Sequence, residues 1–145
     1  MTRLDPGVRD AMVALSAAVK KGLGDPVLAE LVMIRASQIN ECAFCLDMHV
    51  DIAVEKNGES AKRIALLNAW REAGELYSER ERAALALTEA VTVLTEGFVP
   101  DEAYELAAKQ FTEGELAHLI GAIALINSWN RLMVSRRIEP GGPAW

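Results

Sequence analysis

The chain has 145 residues, 51% of them hydrophobic and 25% charged, with a formal net charge of −6. A chain of that length buries roughly two-thirds of its unfolded surface, so residues 1–145 are expected to form a single domain that folds without a disulfide staple. With Lys and Arg scattered there is no basic stripe for phosphates, the N-terminal residues 1–6 lack the apolar stretch of a secretory leader, and the weakly polar run 119–126 is too short to span a bilayer. A cytoplasmic protein acting on neither nucleic acid nor membrane is the expectation.

Helix punctuation marks nearly every boundary, and no stretch alternates as a strand would. Asp5-Pro6 and Asp25-Pro26 each set a capping side chain before a proline preset for the first helical position, predicting helices near 6–21 and 26–39 with Gly22-Leu23-Gly24 between them. A third helix begins near Cys42 and ends at Asn57-Gly58, and Glu59-Ser60 opens a fourth that runs to about Ala69 or Trp70. The boxes Ser78-x-x-Glu81 and Thr112-x-x-Glu115 start helices near 79–95 and 113–135, with a shorter one near 101–109 after Pro100 and a loop at Gly97-Phe98-Val99. The tail, from about residue 138, is non-helical, and the fold class is all-α. In the last helix Leu116, Leu119, Ile120, Ile123, Leu125, Ile126 and Trp129 leave little polar face, which suits a central helix or a subunit interface.

Both cysteines and one of the two histidines fall in Cys42-Ala43-Phe44-Cys45-Leu46-Asp47-Met48-His49. In a helix turning about 100° per residue, Cys42, Cys45 and His49 project within an arc of about 60°. A thiolate is the reactive form of cysteine and is favoured at a helix N-terminus and by a second thiol in a C-x-x-C pair. Imidazole is the side chain best suited to exchange protons near neutral pH, and His49 lies one turn beyond Cys45. Glu41 disfavours a negative charge on its neighbour Cys42, so Cys45 is expected to attack and Cys42 to resolve. Glu30, on an apolar stripe with Met33, Ile34 and Ser37, is costly to bury unless paired, and is a candidate partner for His49.

Other readings of these residues stay open at this level. Two cysteines can simply pack as small hydrophobes. Cys42, Cys45 and His49 also supply three zinc ligands, with His118 or a carboxylate as a fourth, although no second C-x-x-C follows. Glu30 can be an early-helix acid, His118 a packed helix residue, and Trp70, Trp129, Phe44 and Met48 core or interface side chains. A helical oligomer without catalysis would accommodate all of this.

The stretch Ser37-Gln38-Ile39-Asn40-Glu41-Cys42-Ala43-Phe44-Cys45-Leu46-Asp47-Met48-His49 resembles the AhpD-like alkylhydroperoxidase, or carboxymuconolactone decarboxylase, superfamily. Leu67–Glu72, residues 77–86 and residues 126–131 share the likeness, which covers roughly residues 25–135. The resemblance implies an AhpD-like helical bundle assembled as a homotrimer or homohexamer, and a peroxidase cycle on the C-x-x-C pair (motif region 25–58) without a cofactor. It implies that Cys45 attacks the peroxide, that Cys42 resolves, and that Glu30 and His49 relay protons. An external dithiol, lipoylated or thioredoxin-like, would be the reductant. Phe44 departs from the better-characterised alkylhydroperoxidases, in which a histidine precedes the second cysteine, and those proteins are longer. A disulfide reductase or redox sensor with little peroxidase activity is the enzymatic alternative.

Overall fold

The computed structural model describes residues 3–145, and among them it contains helices and turns but no strand. Seven α-helices follow in chain order: α1 Pro6–Leu23, α2 Pro26–Ile39, α3 Ala43–Asp51, α4 Ala61–Ala65, α5 Glu79–Thr92, α6 Asp101–Gln110 and α7 Glu113–Ser135. The punctuation works chemically as well as positionally. Asp5 and Asp25 accept the backbone N–H groups of Val8 and Leu28 at 3.1 and 3.0 Å. Ser78/Glu81 and Thr112/Glu115 close reciprocal capping boxes that satisfy orphan donors at the starts of α5 and α7. Gly24, at φ +66°, turns the chain out of α1 in a left-handed conformation that costs glycine nothing.

The fourth expected helix is broken. Only Ala61–Ala65 is α-helical; Leu67–Glu72 and Gly74–Leu76 are 3₁₀ turns, and Ala69 departs from helical geometry at φ −117°, ψ 27°. Two tertiary demands account for the break. In a 3₁₀ turn residues i and i+3 eclipse, so Leu67 and Trp70 both enter the cluster of Leu31, Ile34, Tyr77 and Leu85. Arg63 is meanwhile held by Glu59, Glu81 and the carbonyl of Leu76, which fixes where the segment must return. Helix α5 also stops at Thr92, three residues early, where Val93 leaves helical geometry at ψ 66°.

Helix α2 is the centre of the fold. Every residue from Leu28 to Ile34 is buried, as are Ala36 and Ser37, because α1, α3, α5 and α7 pack around it. A helix enclosed on all sides must be nearly all apolar, and Glu30 and Ser37 are the buried polar exceptions on it. Helix α7 lies along α1 and α2 with Leu119, Ala122, Ile123, Leu125 and Ile126 inside. The α1–α7 crossing is close: a Cβ on Gly22 would sit 2.0 Å from the His118 ring. His118 thus packs at a helix crossing, its Nδ1 2.7 Å from the carbonyl oxygen of Gly114.

Candidate active site

The link from α2 to α3 sets the cysteines. Helix α2 ends with the N–H of Glu41 donated to the carbonyl of Gln38 and that of Cys42 to the carbonyl of Ser37 at 3.0 Å, the paired bonds of a Schellman closure. Glu41 takes the left-handed position at φ +52°. The turn is pinned to α7 by amides: Asn40 Nδ2 donates to Asn127 Oδ1 and Asn130 Oδ1, and Asn130 Nδ2 donates to Ser37 Oγ, each at 2.9 Å. The Asn130–Ser37 bond is buried and the two bonds of Asn40 are partly so, and together they hold the end of α2, because breaking the buried one strands a polar group away from water.

Cys42 is therefore the residue before α3 rather than its first turn. Its backbone is extended (φ −86°, ψ 93°), and its Sγ folds back to accept the N–H of Cys45 at 3.4 Å. The expected shared helical face is realised for Cys45 and His49, while Cys42 reaches the same place as the helix cap. Cys42 and Cys45 form a disulfide across a Cα–Cα distance of 5.4 Å, within the ordinary range for such a bridge. The sulfurs lie at a helix N-terminus, where free N–H groups favour negative charge. Both cysteines are 1% exposed.

Glu30 and His49 meet, as the sequence suggests they should. Glu30 Oε2 lies 2.6 Å from His49 Nδ1, and both side chains are buried. With Glu30 as the carboxylate acceptor, Nδ1 carries the donated proton and Nε2 remains the ring nitrogen for other partners. Burial raises the Glu30 pKa, but the bonds and charges of His49 and then Lys20 overcome it and hold the carboxyl below its ordinary value. Lys20 Nζ donates to Glu30 Oε1 at 2.6 Å. Sequence reasoning missed this lysine. Its signal is faint: Val13, Ser16 and Lys20 share one stripe of α1, where a cation breaks an otherwise weakly polar face.

These groups open on one cavity of about 170 Å³. Lys20, Cys45 and His49 line it together with apolar walls that include Phe44, Trp129 and Trp145, whereas Cys42 does not reach it. Trp129 donates through Nε1 to Ser16 Oγ at 3.1 Å and lies 6.1 Å from the Trp145 ring, so the tail after α7 closes one side. His118 is not in this wall. Among the described residues no group of three or more His, Cys, Asp or Glu is arranged to hold a metal ion. A larger open groove of about 590 Å³ runs past Arg35, Trp70, Arg71 and Glu89, but those three side chains all bond Glu89 and neutralise it locally.

A chain with this fold and this cysteine pair can be set beside known proteins. The sequence pattern described as the Carboxymuconolactone decarboxylase family matches residues 6–90, more than half of the chain. The chain belongs to the carboxymuconolactone decarboxylase family. Within it, the chain is 44% identical over 106 residues to the uncharacterized protein YdfG of Bacillus subtilis, covering 73% of this chain and 71% of that one. It is 36% identical over 103 residues to the uncharacterized protein YnjA of Escherichia coli, covering 71% of this chain and 55% of the longer relative. Among solved structures, ATU0492 of Agrobacterium tumefaciens, a protein of unknown function proposed to be the antioxidant defence protein AhpD, superimposes with a TM-score of 0.89. It is 36% identical, with 97% of this chain and 98% of that chain covered. An uncharacterized peroxidase-related protein of Silicibacter sp. shares the fold, at a TM-score of 0.74 and 20% identity over 90% of this chain and 69% of its own. The family's AhpD-like, all-α architecture is thus that of this chain. No helix among the described residues is long and apolar enough to cross a membrane.

Proposed function

We propose that this family member is a thiol-dependent peroxidase that reduces organic or hydrogen peroxide through a dithiol–disulfide cycle at Cys42 and Cys45. The observation that carries the reading is the asymmetry of the pair: Cys45 shares the cavity with His49, while its bonded partner Cys42 does not line it. In the reduced protein the Cys45 proton passes to His49 Nε2, with Glu30 holding Nδ1 on the far side of the ring. The thiolate attacks the terminal peroxide oxygen, the O–O bond breaks, and the departing alkoxide or hydroxide takes the proton from His49 and leaves as alcohol or water. Cys45 is then a sulfenic acid. The Cys42 thiol attacks its sulfur, hydroxide leaves as water with the Cys42 proton, and the disulfide seen here is formed. Two electrons from an external dithiol, lipoylated or thioredoxin-like, reopen it by exchange, leaving that reductant as its own disulfide.

The likeness to ATU0492, itself proposed to serve antioxidant defence, supports this reading. Exposed apolar side chains on α1, Val8, Val13 and Leu15, suit assembly into a homotrimer or homohexamer. The test is peroxide consumption with dithiothreitol as donor. The wild type should turn over and Cys45→Ser should not. A wild type that leaves peroxide untouched but reduces or exchanges disulfides would replace peroxidase by disulfide reductase.

A further inference from the structure

We infer that Lys20 is a positioning residue of the proton relay, holding Glu30 so that its second oxygen faces His49. The inference rests on the proposed thiol chemistry of Cys45, which His49 serves. Three observations place Lys20 in the relay rather than on the surface. Its ammonium donates to Glu30 Oε1 at 2.6 Å while His49 Nδ1 occupies Oε2 at 2.6 Å, so the two cations or donors divide the carboxylate between them. Its side chain, about a third exposed, lines the same cavity as Cys45 and His49. It reaches there from α1, an element that carries no part of the cysteine motif.

The chemistry follows from what Glu30 faces. Glu30 is 2% exposed, and an ionised carboxylate in that setting is costly unless it is paired. Among the described residues the titratable groups acting on it are His49 from α3 and Lys20 from α1; the packed helices α5 and α7 bring it no charge. Cys45 lines the same cavity as His49 and Lys20. Without Lys20, Glu30 would have only the imidazole to keep it ionised. It would take up a proton at higher pH, and a neutral carboxyl no longer fixes the Nδ1–H tautomer that leaves Nε2 available. Lys20 also fixes geometry, since a carboxylate held at one oxygen has little freedom to rotate the other away from the ring.

The test is the pH profile of Cys45 reactivity in reduced protein, read as the rate of alkylation by iodoacetamide, in Lys20→Met and Lys20→Arg. Methionine keeps the apolar stem and removes the charge; arginine keeps the charge. The acid limb of the profile should move up by about one pH unit in Lys20→Met, so that on that limb it reacts about tenfold more slowly than wild type. Lys20→Arg should stay within about twofold of wild type. A Lys20→Met profile that overlays the wild type would overturn the inference, and so would a Lys20→Arg profile displaced as far as that of Lys20→Met. Because alkylation needs no peroxide, a wild type inactive toward peroxide but with this Lys20 shift would sink the peroxidase reading while leaving the relay role of Lys20 standing.

Discussion

Replacing Glu30 by glutamine keeps the volume of the side chain but reverses what it offers His49. The amide oxygen can still accept from Lys20, which leaves the NH₂ group facing Nδ1 in place of an acceptor 2.6 Å away. Either two donors confront each other in a site that is 2% exposed at residue 30, or the ring changes tautomer and places its proton on Nε2. The first outcome costs about 1–3 kcal/mol of stability; the second removes the acceptor for the Cys45 proton. Positioned acid–base groups contribute about 10²–10⁴ in rate, and a hundredfold loss is about 2.7 kcal/mol, comparable with one charge-assisted bond of this kind. Peroxide reduction by Glu30→Gln is therefore expected to fall by about a hundredfold or more. Stopped-flow peroxide consumption, with circular dichroism to confirm the fold, measures it, and a Glu30→Gln rate within about twofold of wild type would refute the relay. The Lys20 contact adds little to the stability estimate because that ammonium is partly solvated.

Four further outcomes follow from the same structure. The wild-type Glu30 pKa is lowered on folding, so its stabilisation is present above the ordinary carboxyl value and is lost as pH falls through the folded value. The melting-temperature gap between wild type and Glu30→Gln should shrink below about pH 4.5, whereas a gap that widens with acid would reverse the assigned sign. Gly22→Ala drives a methyl into the His118 ring and should destabilise by about 1–3 kcal/mol in a denaturant titration, an effect relieved when His118→Ala is added. Equal losses in both backgrounds would mean the clash is absorbed elsewhere. Asn130→Ala leaves Asn40 and Ser37 short of partners and should cost about 1–3 kcal/mol; no change in unfolding midpoint would argue against a rigid α2–α3 turn. Trp145→Ala removes one wall of the cavity and should raise kcat/KM for a bulky aryl hydroperoxide relative to hydrogen peroxide, whereas an unchanged ratio would show that the tail does not limit access.

The parts of the fold that were legible in the sequence are those fixed by local chemistry. Asp-Pro at two helix starts, two capping boxes and a near-continuous apolar α2 and α7 each act within a few residues of themselves, so these four helices begin where expected, although α1 runs on through Gly22 and Leu23 and α5 ends at Thr92. The break after Ala65 was not legible. It depends on Trp70 and Leu67 finding Leu31 and Leu85 across the molecule, and on Arg63 being tied to Glu81, none of which a local pattern carries. The same division holds at the candidate site. Spacing put Cys45 and His49 one turn apart, and the cost of burying a carboxylate pointed at Glu30, which the structure brings to His49. Spacing also assigned Cys42 to the helix, although it caps α3 from outside, because the left-handed Glu41 is invisible to a count of residues. Lys20 and the asparagine ties of α7 act across helices, between residues far apart in the chain, so no local pattern carries them.

The most direct measurement asks which sulfur the peroxide oxidises. Reduced Cys42→Ser, treated with a several-fold excess of peroxide in the presence of dimedone and mapped by mass spectrometry, should carry the adduct on Cys45 and consume about one equivalent of peroxide per chain, because the sulfenic acid has no resolving thiol. Reduced Cys45→Ser under the same conditions should remain unmodified at Cys42. An adduct on Cys42 formed at the wild-type rate, with Cys45 inert in the partner variant, would contradict the assignment of the cavity-facing cysteine as the attacking thiol.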